Sequence, residues 1–316
     1  MTVRLTVHGG AWRAHVGAVA AACPGLVPVV KGNGYGFGRP NLHVVAAAVS
    51  TIVAVGTIHE LHDVPPELVP VVLTPALEPP RHPRAAMTVG AIAHVEALRG
   101  WTGDVLVKLQ SSMRRYGCTP DELPALVEAV RAAGLRLAGY SIHLPLAGSD
   151  DDHRSEIETW LPLLPTEAAV WVSHLSIDAF TALRTAHRDR PFCLRLGTAL
   201  WHGDKSTLQL QCDVLDVRPV QSGERAGYRL RPVPGDGHVV LVGAGTAHGV
   251  HPLADGRSPF HHARHRLDLV EPPHMHTSMV FVADGQPLPV VGDWVDVQRP
   301  LTTTTPDQIH WIEPHE

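Results

Sequence analysis

Lysine is nearly absent from this 316-residue chain, yet one of the three it keeps stands where an amine can act covalently. Of 26 Lys and Arg together, only Lys31, Lys108 and Lys205 are lysine. Arginine serves ion pairs and solubility as well as lysine does. Its guanidinium stays protonated, however, and cannot form a Schiff base. Lys31 ends the apolar run Leu26-Val27-Pro28-Val29-Val30 and opens a glycine-rich turn, Gly32 to Gly38. An amine at the end of a buried strand, beside backbone able to wrap a phosphate, points to an anchored cofactor. A composition rich in Ala, Arg, Val and Pro accounts for part of the lysine depletion, and the plainer reading of Lys31 alone is a solvated loop lysine.

Other reactive side chains recur at the ends of apolar runs. Lys108 is followed by Ser111-Ser112-Met113-Arg114-Arg115-Tyr116-Gly117. His143 closes another run, His174 and Ser176 follow a third, and Arg195 with Gly197-Thr198 ends a fourth. Singly each has a plain reading: a satisfied core histidine, a strand-end ion pair, a turn glycine. Jointly they require an architecture that brings strand ends together. Eight β-branched runs, at 26–31, 51–55, 68–73, 86–89, 104–109, 136–143, 169–173 and 191–195, predict strands. Between them, 120–133, 153–163 and 176–187 show helical spacing. Eight strands alternating with helices predict an α/β fold, a (β/α)8 TIM barrel, with its chemistry at the C-terminal strand ends.

After about residue 205 the pattern changes. Short strands are predicted at Val214–Val217, Gly227–Val233, His238–Val242, Met279–Val282 and Asp293–Gln298, separated by Gly, Pro and Asp turns. The expected organisation is a barrel over 1–205, its first residues pairing with the following domain, and a C-terminal β-rich domain over 206–316.

The remaining composition excludes several classes. A formal charge of −5 argues against a nucleic-acid partner. No run of 18 apolar residues predicts a membrane span, and the N-terminus lacks the pattern of a secretory signal. Four scattered cysteines, with no CxxC pair, read as reduced thiols in a cytoplasmic protein.

Residues 29–38, Val-Val-Lys-Gly-Asn-Gly-Tyr-Gly-Phe-Gly, resemble the cofactor-lysine signature of the alanine racemases, fold-type III pyridoxal-phosphate enzymes. The resemblance continues in order through 108–117, 139–144, 171–180, 194–203, 220–228, 243–250, 272–282 and 291–297. It implies that Lys31 attaches pyridoxal 5'-phosphate covalently, with Tyr35, Ser176, Gly197 and Thr198 at its phosphate. It places His143 near the cofactor ring, Arg195 at the pyridine nitrogen, and Arg115 and a modified Lys108 beside cofactor and substrate. Met275 and His276 match the pair near the carboxylate of a small amino-acid substrate. The second domain of such a homodimer serves the partner's site.

The sequence departs from the family on one side of that site. The catalytic tyrosine of the family's G-Y-A-D-G segment is Thr246 here, and its acidic residue is His248. The Asp of the Met-Asp pair is His276, and the Asp expected after Lys108 is Gln110. The motifs also run out at Glu316, before the family's last stretch and its phosphate-contacting tyrosine. A threonine hydroxyl is a poor acid or base near neutral pH. Three outcomes follow: His248 or His276 as second base, a one-base reaction such as decarboxylation, or cofactor binding without turnover.

Competing motifs are weaker. The turn after Lys31 lacks the G-K-[ST] ending of a phosphate loop. Gly243–Gly249 has no βαβ unit around it to make a dinucleotide site. His261 and His265 have the i, i+4 spacing of two metal ligands on one helix, but no HExxH acid accompanies them and prolines bracket the segment. A solvated His-rich loop over 261–276 is the plainer reading there.

Overall fold

The computed structural model describes residues 2–313. It divides into two compact units: His15–Gly34 with Arg39–Gly203, and Met1–Ala14 with Tyr35–Gly38 and Asp204–Glu316. The chain opens with β1 (Val3–His8) and α1 (Gly9–Ala22), the helix running across the first boundary.

The first unit is an eight-stranded parallel barrel. Its strands are β2 (Leu26–Pro28), β3 (Ile52–Val55), β4 (Val69–Val72), β5 (Ala86–Val89), β6 (Asp104–Lys108), β7 (Arg136–Ser141), β8 (Val170–Ser173) and β9 (Phe192–Leu196). Their order is β2-β9-β8-β7-β6-β5-β4-β3. A parallel bridge between Val29 and Ala54 closes the seam between β2 and β3. All eight expected strands form. β2 is short, but its pairing runs on past Pro28 through the Val29 N–H, which donates to the Leu196 carbonyl. Val53, Ala54, Val55, Val107, Val172 and Leu194 are fully buried, as strands covered on both faces require.

The helices α2 (Arg39–Val49), α3 (Ile92–Ala97), α4 (Leu123–Ala132), α5 (Asp150–Trp160), α6 (Ile177–Ala186) and α7 (Thr198–Trp201) lie between and after the strands. In α4 the predicted periodicity is visible as burial of Leu123, Leu126 and Val130. The helix expected at 153–163 starts three residues sooner, because Ser149 and Asp152 form a reciprocal capping box. It ends in a 3-10 turn at Leu161–Leu163.

The second unit is antiparallel and β-rich. β10 (Leu208–Val220) pairs with β1, Gly237–Val242 and Trp294–Val297. β1 also pairs in parallel with Gln308–Ile312. Phe37 is buried here, its ring 4.9 Å from that of Trp12 and 6.2 Å from that of Trp311. The second half of the glycine-rich turn is thereby anchored by an aromatic cluster.

Two expectations are corrected in this unit. The strand expected over Gly227–Val233 is a turn between two-residue strands, Arg225–Ala226 and Arg231–Pro232. Positive φ at Gly227 and Leu230 breaks the extended run. The helix that would bring His261 and His265 to one face does not form either. Phe260–His262 and His265–Arg266 are the arms of a hairpin, and His262 pairs with His265. Among the described residues no group of three or more His, Cys, Asp or Glu is placed to hold a metal ion. None of the described helices is long and apolar enough to cross a membrane.

Candidate active site

The C-terminal strand ends of the barrel unit carry Lys31, Lys108, His143, His174 and Arg195. Lys31 follows β2, whose end is held on both sides. The Val29 N–H donates to the Leu196 carbonyl (2.8 Å) and the Val30 N–H to that of Ala54 (2.8 Å). The buried indole of Trp201 donates to the Val29 carbonyl at 2.7 Å. The backbone before the amine is therefore fixed by three hydrogen bonds from separate elements. A Cβ added at Gly56 would lie 3.3 Å from the Cβ of Lys31, a tight contact, so the glycine leaves room beside the lysine stem. By surface area Lys31 is exposed, yet the barrel mouth strips water from its amine. Its pKa lies below the ordinary lysine value, first through this loss of hydration, then through repulsion by Arg115 and Arg195, with Glu60 opposing.

Lys108 is buried at the end of β6, and desolvation, then Arg195 and Arg115, hold it well below the usual lysine range. Arg195, also buried, donates to the carbonyl of Ile142 and, at 3.4 Å, to that of Val172. These bonds, to β8 and to the residue that follows β7, fix the guanidinium plane. Burial pushes its pKa down to about 10, so it stays a cation at neutral pH.

His143 closes the set. Its Nδ1 lies 2.7 Å from the Ser173 hydroxyl, and its ring meets His174 edge-on at 4.7 Å. Burial first, then Arg195, Lys108, His174 and Arg115, push its pKa down to about 2. The imidazole is neutral in the folded state. Full stability is present above the ordinary value of 6.5. As pH falls from there toward about 2, the unfolded chain binds a proton that the native state refuses. This group alone should lower stability by roughly 1.4 kcal/mol per pH unit across that window. Denaturant melts of wild type and His143→Gln between neutral and acid pH measure it; equal acid sensitivity would contradict the assignment.

Arg115 lies in the loop after β6. A parallel bridge from Leu109 to Cys118 folds that loop back on its own strand. At Gly117 φ is +130° and a Cβ would meet the Leu109 backbone at 2.6 Å, so only glycine closes this loop. The Arg115 guanidinium lies 4.8 Å from the ring centre of Tyr116, within cation–π reach.

Ser176 caps α6, its Oγ accepting from the Ala179 N–H at 3.1 Å. Its own N–H donates to Asp150 at 3.0 Å. The Ser176 hydroxyl and N–H hold the Asp150 carboxyl below its usual range. Gly197 and Thr198 begin the four-residue α7, with the Gly197 carbonyl accepting from Leu200 and Trp201.

The remaining expected site residues belong to the β-rich unit. Tyr35 is buried there with a left-handed backbone, φ 55°. Thr246 and Ala247 donate their N–H groups to the carbonyls of His274 and Met275, at 2.8 Å each. This joins the 246–248 turn to the exposed Met275 and His276. His248 is buried, and its Nδ1 accepts from the Gly245 N–H at 3.1 Å. Its Nε2 lies 3.2 Å from the Asp307 carboxylate. With both nitrogens engaged, His248 braces its turn. His276 lies edge-on to it at 6.0 Å.

Several residues carried no signal of their own in the sequence. Glu60, Asp150, Ser173 and Trp201 act through partners 20 or more residues away or through backbone atoms, which no spacing rule marks.

The alanine racemase N-terminal domain model matches residues 7–202, more than half of the chain. Alanine racemase of Nitratidesulfovibrio vulgaris is 24% identical over 97% of this chain and 92% of its own length. That of Mycolicibacterium vanbaalenii is 29% identical over 75% and 68%. Among solved structures, alanine racemase from Bartonella henselae, with covalently bound pyridoxal phosphate, superposes with a TM-score of 0.75 at 19% identity, covering 99% of this chain and all of that one. That likeness shows the fold, and the match over residues 7–202 shows more: this chain belongs to the alanine racemase family.

Proposed function

We propose that this protein binds pyridoxal 5'-phosphate through Lys31 and acts at the Cα of a small amino acid as a racemase-like isomerase. One observation carries the reading: the barrel gathers an amine of lowered pKa with Lys108, Arg115, Arg195 and a neutral His143 at its strand ends. This donor set fits a phosphorylated aldehyde. The amine supplies a nucleophile, the cations answer the anionic groups, and the glycine walls at Gly56 and Gly90 leave room beside both lysines. When bound, the cofactor withdraws electrons from the amino acid's Cα and stabilises the charge left by a departing proton.

The chain's own residues divide the remaining work. Lys31 attaches the cofactor and afterwards serves as the base on one face of Cα. Arg195 would orient the ring through its nitrogen, and His143, held by Ser173 and His174, adds no charge beside it. Arg115 and Lys108 hold the anionic edge of cofactor and substrate. Ser176, Gly197 and Thr198 take the phosphate. The Ser176 N–H and hydroxyl engage Asp150, so a phosphate there displaces a carboxylate. Asp150→Asn should accordingly tighten cofactor binding by about three- to tenfold, the worth of one like charge near a surface. A cofactor titration followed by visible absorbance measures this; weaker binding would contradict it.

The opposite face of Cα is assigned to Thr246, Met275 and His276, contributed within a homodimer that works in the cytoplasm. One observation favours a second reading, one-base chemistry such as decarboxylation: Thr246 is no phenol, and both nitrogens of His248 are engaged. Purified protein with pyridoxal phosphate and a panel of L- and D-amino acids separates the two. Formation of the other enantiomer supports racemisation; carbon dioxide without inversion supports the second reading; neither product from any amino acid defeats both.

A further inference from the structure

We propose that Glu60 is the positioning residue for Lys31, a carboxylate that ties two strand ends of the barrel together beside the reactive amine. The inference deepens the reading of Lys31 given above and rests on it. Glu60 lies in the 3-10 turn Ile58–Asp63 that follows β3. Its Oε1 accepts the Gly32 N–H at 2.9 Å and its Oε2 the Gly56 N–H at 2.6 Å. Gly32 follows Lys31, and Gly56 follows β3. These are the two sides of the seam where the barrel closes, joined otherwise by the bridge from Val29 to Ala54 and the bond from Val30 to Ala54.

The same short turn holds Gly32 a second time. Asp63 binds Arg39, whose Nε lies 2.9 Å from Oδ2, and Nη1 of Arg39 donates to the Gly32 carbonyl at 2.8 Å. Both polar backbone groups of Gly32 are therefore fixed from one six-residue turn. Space is tight around the clamp. A Cβ built on Gly56 would lie 3.0 Å from Glu60 and 3.3 Å from Lys31. Glu60 thus packs across Gly56 from the stem of the lysine.

Charge makes the clamp more than scaffolding. The charged and titratable groups acting on Lys31 are Arg115, Arg195 and Glu60, with His174 also beside it. Glu60 is the anion of this group. It fixes where the amine sits and limits how far the neighbouring cations depress it. Glutamine cannot replace it, because its amide N–H₂ would face a backbone N–H where an acceptor is needed.

The test uses the full chain as wild type, Glu60→Gln and Glu60→Asp. The cofactor-free proteins are labelled competitively at lysine amines across a pH series, with Lys31 followed by mass spectrometry. The second readout is retention of pyridoxal phosphate, by visible absorbance. In Glu60→Gln the Lys31 labelling curve should move to lower pH, raising labelling near neutral pH by about three- to tenfold, the range of half to one pKa unit. Cofactor retention should weaken as well. Glu60→Asp keeps the charge but is too short for both N–H groups, so its labelling curve should stay near wild type while retention weakens. Should Glu60→Gln not fold, Glu60→Asp still decides the matter: unchanged retention would overturn the proposal. Superimposed labelling curves and equal retention in Glu60→Gln and wild type would overturn it too. A wild type that never takes up the cofactor defeats the reading of Lys31 as its anchor, while the labelling curves still decide Glu60.

Discussion

Lys31→Ala should abolish the visible absorbance of bound cofactor and lower turnover by at least about a thousandfold, the scale expected when a covalent nucleophile is removed. The residue sits at the end of a strand fixed by Leu196, Ala54 and Trp201, so its loss deletes an amine without disturbing the backbone that holds it. Lys31 is exposed by area, and no core packing depends on it. The melting temperature should therefore change little. Lys31→Arg provides the control for charge. It preserves a cation beside Arg115 and Arg195 but offers no nucleophile, and it should be as inactive as the alanine variant. A visible band that survives both substitutions would place the attachment elsewhere.

Arg195→Leu should change the site's electrostatics more than any other single substitution. Among the charged groups that depress His143, and among those that depress Lys108, Arg195 is the largest. Its removal should raise the His143 pKa from about 2 by roughly one unit or more, since a full charge leaves a water-poor neighbourhood. Lys108 and Lys31 should move upward in the same experiment. The acid-linked loss of stability should narrow, because a histidine whose folded pKa lies nearer the ordinary value refuses its proton over a shorter range. Against this relief stands the Ile142 carbonyl, which loses its Arg195 donor, whereas Val172 keeps its bond in the β8–β9 ladder. An unsatisfied carbonyl costs about 1–3 kcal/mol, so stability at neutral pH should fall. Imidazole titration by NMR in wild type and variant reports the shift. An unmoved His143 would show that burial alone controls it.

The barrel was legible in the sequence because its strands are buried on both faces. Such strands read as continuous β-branched runs, and eight of them alternating with helices admit few architectures. The helix starts were less legible. Ser149 and Asp152 cap α5 three residues before the periodicity begins, since capping is set by hydrogen bonding and not by hydrophobic spacing. The second unit was harder for the same reason. A run such as Gly227–Val233 has strand-like composition, but positive φ at Gly227 and Leu230 turns it. The His261 and His265 spacing suggested a helix face, and the hairpin between them removed it.

The candidate site divides similarly. Lys31, Lys108, His143 and Arg195 were visible as polar residues at strand ends. Glu60 was not, because its partners are backbone N–H groups of Gly32 and Gly56, which carry no sequence identity. His248 shows the reverse. Its type suggested a base, while its engagement by Gly245 and Asp307 exists only in three dimensions.

The central claim is that this chain performs Cα chemistry through Lys31 and bound pyridoxal phosphate. Incubation of the loaded protein with L- and D-amino acids in deuterium oxide, read by NMR at Cα, tests it most directly. The account predicts deuterium at Cα of at least one small amino acid, dependent on Lys31 and on the cofactor. A protein that holds the cofactor yet exchanges no Cα proton in any amino acid would contradict it.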